Sequence, residues 1–143
     1  MSNTSSNKHR VFVYGTLIRG ARNSDVMLRA RLISRLAFTK EKSFFMLQFQ
    51  SSTDQGKYSP GVFENGNCRI KGQLYEVSDQ LLRKLDKIEK NGVRYDRKIV
   101  HMSDNSLAWM YIMKKENQVD GGVACIDYDR HNQVYSWRPA WEA

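Results

Sequence analysis

Glu89 is the ionisable residue whose position most directly suggests chemistry. On a helical wheel for residues 79–90, Glu89 falls between Leu82 and Leu85, on the face formed by the apolar side chains. A carboxylate on an apolar face loses hydration in its ionised form, so its pKa should rise from about 4.3 toward neutrality. Such a group can accept and return a proton at pH 7, as a general base does.

From the wheel alone, two plainer interpretations of Glu89 stay open. Its carboxylate could pair with Arg94 or Arg97 in the segment that follows. It could also lie at the frayed end of the helix and reach water. In either case Glu89 would be a structural or surface residue.

The second candidate is the loop around Gly15. Residues 10–17, RVFVYGTL, form a short, β-rich apolar run that ends at this glycine, which is typical of a buried strand entering a turn. Glycine permits a tight turn or a close backbone approach that a Cβ would obstruct. Backbone N–H groups in such a loop can bind a carboxylate or an oxyanion. An ordinary strand-ending glycine is the alternative.

The helix that would carry Glu89 has well-marked ends. Ser78 is a good N-cap, Asp79 suits the first turn, and Asn91-Gly92 ends the helix. Another helix is predicted over residues 24–37, where good helix formers follow a possible cap.

The other elements are predicted as strands because they are short, β-branched or aromatic in part, and separated by turn residues. They cover residues 10–17, 43–50, 61–63, 68–77, 94–102 and 108–114. We therefore expect an α+β fold, a small mixed and mainly antiparallel β-barrel with flanking helices.

Length and composition indicate one domain. The chain has 143 residues with 41% hydrophobic content, enough for a single core. We expect a disordered tail over residues 1–9 and one domain over 10–143. Because no run of eighteen apolar residues exists and the start is polar, we expect a cytoplasmic protein without a membrane partner.

The net charge of +8 raises the possibility of a nucleic-acid partner. Nine of the Lys and Arg residues lie in the first 50 positions, against two acidic residues. They are spread over several predicted elements and belong to no nucleic-acid-binding motif. This distribution favours a solvated basic surface over a nucleic-acid interface.

The cysteines and histidines show no metal-ligand, redox or nucleophile pattern. Cys68 and Cys125 are far apart and are expected to be ordinary buried thiols, and His9, His101 and His131 to be surface residues. We therefore expect no metal and no organic cofactor.

Five segments in order resemble the gamma-glutamylcyclotransferase-like, or AIG2-like, family. They are VYGTL at residues 13–17, IKGQLYEV at 70–77, LDKIE at 85–89, YDR at 95–97 and WMY at 109–111. Together they span about residues 10–114. The YGTL form is similar to the gamma-glutamylamine cyclotransferase branch more than to the glutathione-pathway branch, with its longer YGSNL loop.

This resemblance implies an intramolecular aminolysis. The α-amine of a γ-glutamyl group attacks its own γ-carbonyl, which forms 5-oxoproline and expels the attached amine or amino acid. Glu89 matches the catalytic glutamate of the family, which moves the protons. The residues that match the binding loop are Tyr14, Gly15, Thr16 and Leu17.

Tyr95 and Arg97 match the family's Tyr-x-Arg positions on the next predicted strand. Because alternate strand residues share a face, both could point toward the Glu89 pocket and bind substrate. Core packing is the alternative for Tyr95. Arg97 could stabilise the carboxylate or hold the fold together.

The sequence leaves more than one leaving group and more than one oligomeric state open. The YGTL branch favours an amine, such as the lysine side chain of a γ-glutamyl-ε-lysine link, whereas a basic rim would favour acidic groups.

The C-terminal stretch carries four aromatic residues, Tyr128, Tyr135, Trp137 and Trp141. They could cover the active site or a dimer surface, although packing back on the barrel is the default. A monomer or homodimer is expected. Two alternatives stay open. One is a non-catalytic module on the same fold that binds a small ligand or nucleic acid, and the other is an enzyme with another acyl donor, such as a γ-glutamyl group attached to a biosynthetic intermediate.

Overall fold

The computed structural model describes residues 8–18, 21, 23–50, 58–115 and 126–138. Nine strands and one α-helix form within these ranges. Their bounds are β1 Lys8–Val13, β2 Arg31–Phe38, β3 Phe44–Gln50, β4 Tyr58–Glu64, β5 Arg69–Ser78, α1 Asp79–Ile88, β6 Tyr95–His101, β7 Leu107–Met113, β8 Ile126–Asp129 and β9 Val134–Trp137.

The strands form one large, mainly antiparallel sheet and one hairpin. The sheet order is β6-β7-β1-β5-β9-β8, and β2 also pairs with β5. The β1–β7 and β5–β9 pairs are parallel, and the other pairs are antiparallel. The hairpin β3–β4 packs against this sheet through β4 and β7. The predicted α+β fold with a curled, mainly antiparallel sheet is confirmed.

Alternate residues of β1 face opposite sides of the sheet, and both sides are buried. Phe12 belongs to one hydrophobic cluster, whereas Val11 and Val13 belong to the other. Helix α1 covers the second cluster and adds Leu82 and Leu85 to it. The C-terminal end of α1 is therefore held on the side of the sheet to which Val11 and Val13 point.

The predicted helix over residues 24–37 is wrong. Ser24–Met27 form one turn of 3₁₀ helix, and Arg31–Phe38 form β2, because antiparallel pairing with β5 overrides the helix propensity of this segment. The pairing shifts register around Ser34, where the Ser34 hydroxyl accepts a 3.2 Å hydrogen bond from the Leu36 N–H. Such local side-chain bonds of serine compete with helix formation.

Two of the four aromatic residues near the C-terminus, Tyr135 and Trp137, pack back on the sheet, as predicted. Trp137 is buried in the first cluster and Tyr135 packs against that cluster. Tyr128 is exposed and stacks on Tyr135 with ring centroids 4.8 Å apart. The strands β8 and β9 that hold these residues had not been predicted. Trp141 lies outside the described residues.

The first strand begins earlier than predicted. Lys8 and His9 belong to β1 and pair with Ser78 and Val77, so the strand overlaps the segment expected as a tail by two residues. Residues 1–7 lie outside the described ranges. No helix in those ranges has the length and apolar composition needed to cross a membrane.

Candidate active site

A cavity of about 310 Å³ lies where the end of β1, the end of α1, the start of β6 and the β3–β4 hairpin meet. Its volume falls at the lower end of small-molecule sites, which run from roughly 300 to 1,000 Å³. The residues that line it are Phe12, Val13, Tyr14, Gly15, Thr16, Leu17, Asn23, Phe49, Ser59, Pro60, Ile88, Glu89, Lys90, Arg94, Tyr95 and Tyr111. The structure thus brings together six of the seven predicted site residues, and Arg97 is not among them.

The backbone at the end of α1 fixes the position of Glu89. Glu89 is the C-cap, and the next residue, Lys90, has a φ of 52°. The Lys90 N–H donates to the Lys87 carbonyl at 3.2 Å, and the Asn91 N–H donates to the Asp86 carbonyl at 2.8 Å. These two bonds form a Schellman motif, so the helix end is closed and not frayed. A non-glycine residue supplies the left-handed turn, one position before the predicted Asn91-Gly92 stop.

Burial raises the pKa of Glu89 to about 7, and the positive charge of Arg94 acts in the opposite direction. Within the described residues, the Glu89 side chain forms no hydrogen bond or salt bridge. Arg97, one of the two partners considered from the sequence, pairs with Asp86. A partly buried carboxylate with a pKa near neutrality faces the cavity and can exchange a proton there.

Side-chain and backbone hydrogen bonds hold the loop after β1. The Tyr14 hydroxyl donates to the Tyr111 carbonyl at 2.7 Å and accepts from the Val62 N–H at 3.3 Å. The Asn23 amide donates to the Thr16 hydroxyl at 3.1 Å, and the Asn23 N–H donates to the Thr16 carbonyl at 2.8 Å. Because these contacts tie the loop to β7, to β4 and to Asn23, its backbone presents a preformed surface to the cavity.

Gly15 is needed because of its close approach to the β3–β4 hairpin. A Cβ at this position would lie 2.6 Å from Pro60 Cγ and 2.9 Å from Pro60 Cδ, closer than real Cβ contacts. The φ of Gly15 lies outside the left-handed region that favours glycine. Among the described glycines, Gly92 is the one with a φ in that region. Among the reasons considered from the sequence, close packing therefore accounts for this glycine, and the neighbour is a proline of the same protein.

Tyr95 lines the cavity and is buried, and its hydroxyl donates a 3.0 Å hydrogen bond to the Pro60 carbonyl. Burial and the nearby Glu89 carboxylate raise the pKa of Tyr95, so the hydroxyl stays protonated. Its ring packs in the core, which was the alternative considered for it, and it also lines the cavity. Contact of Tyr95 with the substrate stays a prediction.

Arg97 lies outside the lining of the cavity. Its Nη2 donates to Asp86 Oδ2 at 3.2 Å, its Nε lies 2.8 Å from Asp86 Oδ1, and its Cζ lies 4.1 Å from the centre of the Trp109 ring. Asp86 also accepts a 2.7 Å hydrogen bond from the Tyr111 hydroxyl. Arg97 therefore joins β6, β7 and α1 behind the cavity wall, the fold-holding role that was its alternative.

Ten lining residues were not among the site residues predicted from the sequence. They are Phe12, Val13, Asn23, Phe49, Ser59, Pro60, Ile88, Lys90, Arg94 and Tyr111. Tyr111 belongs to the WMY segment at residues 109–111, and the sequence indicated Arg94 only as a partner of Glu89. Phe49, Ser59 and Pro60 belong to β3 and β4, and no local pattern in those strands indicates a site.

The histidines and cysteines lie apart from the cavity lining. His101 and His131 are exposed, whereas His9 is partly buried and contacts Asp79 at the start of α1. Cys68 is a buried free thiol, as predicted, and Cys125 lies outside the described residues. Within the described part of the chain, His, Cys, Asp and Glu form no group that could hold a metal ion.

Comparison with known proteins identifies a matching family and several relatives. The family model described as gamma-glutamyl cyclotransferase, AIG2-like, matches residues 11–132. The gamma-glutamylcyclotransferase family protein YtfP of Escherichia coli strain K12 is 30% identical over 112 residues, which cover 78% of this chain and 87% of that protein. The gamma-L-glutamyl-butirosin B gamma-glutamyl cyclotransferase of Niallia circulans is 29% identical over 119 residues, 77% of this chain and 70% of that protein.

A solved structure shows the same fold. The crystal structure of an AIG2-like protein from Mus musculus superimposes with a TM-score of 0.64 at 25% sequence identity, over 92% of this chain and 97% of that one. The family match spans most of the chain, including the β1 loop and the end of α1 that form the cavity. The chain therefore belongs to the gamma-glutamyl cyclotransferase, AIG2-like, family of enzymes.

Proposed function

We propose that this protein is a cyclotransferase that converts a γ-glutamyl amine or γ-glutamyl amino acid to 5-oxoproline and a free amine, with Glu89 as general base and then general acid. The α-amine of the substrate attacks the γ-carbonyl carbon, a C–N bond forms, and the bond to the leaving nitrogen breaks. Glu89 accepts the proton that the α-nitrogen loses and returns one to the leaving nitrogen. Atoms and charge balance without a cofactor or second substrate.

The observation that carries this proposal is the state of Glu89 in the cavity. Its carboxylate has a pKa of about 7 and forms no hydrogen bond or salt bridge with the described side chains, although the charge of Arg94 acts on it, so both protonation states are populated at neutral pH. A carboxylate in a structural ion pair would have a lowered pKa and would be a poor base at this pH.

The loop after β1 would serve the other two needs of the reaction. Backbone N–H groups near Gly15, Thr16 and Leu17 can hold the α-carboxylate of the substrate or the oxyanion that develops on the γ-carbonyl. The loop is fixed by Tyr14 and Asn23, so little reorganisation is needed when substrate binds. Since nucleophile and electrophile belong to one molecule, folding the γ-glutamyl chain into an attack geometry would supply much of the rate.

Tyr95 and Arg97 receive different roles in this proposal. Tyr95 forms the wall next to Glu89 and contacts the substrate, with its hydroxyl held by Pro60. Arg97 acts through Asp86 and Tyr111 and does not touch the substrate. As expected from the sequence, the proposal also takes the enzyme to be cytoplasmic, a monomer or homodimer, and without a nucleic-acid partner.

The test is release of 5-oxoproline, measured by mass spectrometry, from γ-glutamyl-ε-lysine and a panel of γ-glutamyl dipeptides and amines. Glu89→Gln should lower kcat by roughly 10² to 10⁴ while substrate binding and folding persist. Glu64→Gln, a change of the same kind at an exposed position on β4, should leave turnover unchanged.

Unchanged turnover by a folded Glu89→Gln variant would remove Glu89 from the mechanism. Binding of γ-glutamyl compounds without release of 5-oxoproline from any of them would favour the non-catalytic binding module on this fold.

A further inference from the structure

The cavity has a buried end and an exposed end. Tyr14 and Leu17 of the β1 loop are buried, whereas Lys90 and Arg94 are exposed. Glu89 is partly buried, directly precedes Lys90 in the chain and lies within electrostatic reach of Arg94. A substrate whose γ-glutamyl group occupies the loop would therefore direct its leaving group toward Lys90 and Arg94.

Lys90 and Arg94 are the cationic side chains among the lining residues, and the backbone fixes how they lie relative to each other. The Arg94 N–H donates to the Lys90 carbonyl at 2.9 Å, and the Arg94 carbonyl accepts from the Lys114 N–H at 3.0 Å. The Arg94 guanidinium carbon lies 5.9 Å from the centre of the Phe49 ring. The tight turn after α1 thus places two cations beside Glu89, one of them reaching the β3–β4 hairpin.

The charges of the described lining residues are unequal. Among these residues, Lys90 and Arg94 are the two cations, whereas Glu89 is the one acidic side chain and, with a pKa of about 7, carries only part of a negative charge at neutral pH. The γ-glutamyl group itself carries an ammonium and a carboxylate and is neutral overall. The charge of the leaving group therefore decides whether the complete substrate complements the positive end of the cavity.

On the basis of the proposed cyclotransferase function, we propose that Lys90 and Arg94 bind a carboxylate on the leaving group. The preferred substrates are then γ-glutamyl amino acids, and γ-glutamyl amines without a carboxylate are poorer substrates. An additional ammonium group on the leaving amine weakens binding further, because it would face two like charges. In this proposal the residues after α1 determine which leaving group is preferred. The YGTL loop, which is similar to that of the γ-glutamylamine branch, binds the γ-glutamyl group that all the substrates share.

The experiment compares γ-glutamylglycine with γ-glutamylglycinamide, which differ only in the carboxylate of the leaving group. The ratio of their kcat/KM values should favour γ-glutamylglycine in the wild type. Arg94→Gln and Lys90→Gln should each reduce this ratio by about 5- to 100-fold, the range expected for loss of a hydrogen bond to a charged group at an exposed site. Lys87→Gln, at the exposed end of α1 but outside the cavity lining, is the matched control and should leave the ratio unchanged.

Two further readouts separate this proposal from a general effect of charge or folding. The preference for γ-glutamylglycine should decrease with rising salt, because the two cations are exposed and screened. Calorimetric binding of both compounds to Glu89→Gln should show the same order of affinity, which measures recognition without turnover.

The possible results separate the proposed specificity from the proposed cyclotransferase function. Release of 5-oxoproline with no preference between the two compounds overturns the proposed specificity and leaves the cyclotransferase function intact. Equal losses on both compounds in Arg94→Gln also overturn it, because Arg94 would then act on the γ-glutamyl end or on the fold. If neither compound is turned over, the cyclotransferase proposal fails for these donors. The calorimetric order then decides whether Lys90 and Arg94 recognise the carboxylate.

Discussion

The Tyr14 hydroxyl lies 2.7 Å from the carbonyl oxygen of Tyr111 and donates a hydrogen bond to it, so the loop after β1 is joined directly to β7. The same hydroxyl accepts from the Val62 N–H of β4 at 3.3 Å. Burial raises the pKa of Tyr14 well above its ordinary value, so the hydroxyl remains a donor. One side chain therefore fixes three strands around the cavity.

Tyr14→Phe should lower the free energy of unfolding by about 1–3 kcal/mol, because a buried carbonyl and a buried N–H each lose a partner. Urea unfolding measures the change. Tyr128→Phe is the control: its hydroxyl is on an exposed side chain, and the change should stay within about 0.5 kcal/mol. Equal stability of the two variants would show that the Tyr14 hydroxyl does not hold these strands.

Gly15 and Pro60 should be coupled in stability and activity. Gly15→Ala places a Cβ 2.6 Å from Pro60 Cγ, so Pro60 must move, and the Pro60 carbonyl that holds Tyr95 moves with it. In a Pro60→Ala background the clashing Cγ and Cδ atoms are absent and the Gly15→Ala penalty should shrink. A double-mutant cycle of unfolding free energies and kcat/KM values should show a coupling of about 0.5–3 kcal/mol. Additive effects would contradict a direct steric coupling between Gly15 and Pro60.

The position of Glu89 could be predicted because its causes are local. The Ser78 hydroxyl accepts from the Leu81 N–H at 3.1 Å as the predicted cap, and Leu82 and Leu85 are buried as the wheel indicated. Helix period and capping operate within a few residues, so the sequence contains them in one continuous stretch.

The opposite wall of the cavity could not be predicted because its causes are distant in the chain. Pro60 approaches Gly15 through the packing of the β3–β4 hairpin, and β2 forms only because β5 offers a pairing edge. Neither contact leaves a periodic signal in its own segment. Lys90 is similar, since its left-handed φ of 52° is imposed by the Schellman motif and not favoured by a lysine.

The buried carboxylate of Glu89 should make stability depend on pH in a specific window. Its folded pKa of about 7 exceeds the ordinary glutamate pKa of 4.5, so the folded protein binds more protons than the unfolded chain between these values. The contribution of Glu89 to stability is present below pH 4.5 and is lost as pH rises toward 7. Glu89→Gln should therefore gain stability relative to the wild type across this window, by less than the roughly 1.4 kcal/mol per pKa unit of a fully buried group. Thermal or urea unfolding at several pH values would measure it, and a pH-independent difference would contradict the raised pKa.

The pH dependence of turnover should report the same group from the catalytic side. Only the ionised carboxylate can accept a proton from the substrate, so kcat/KM should rise with pH through a midpoint near 7, the pKa of Glu89 in the free enzyme. Arg94 lowers that pKa, because its positive charge favours the ionised carboxylate. Arg94→Gln should consequently move the midpoint to higher pH, whereas Lys87→Gln should leave it in place.

The measurement needs a γ-glutamyl donor without a leaving-group carboxylate, such as γ-glutamylglycinamide, so that loss of recognition does not accompany the shift. A midpoint that stays fixed in Arg94→Gln would assign the acid limb to a group other than Glu89, and a shift to lower pH would contradict the direction of the Arg94 effect.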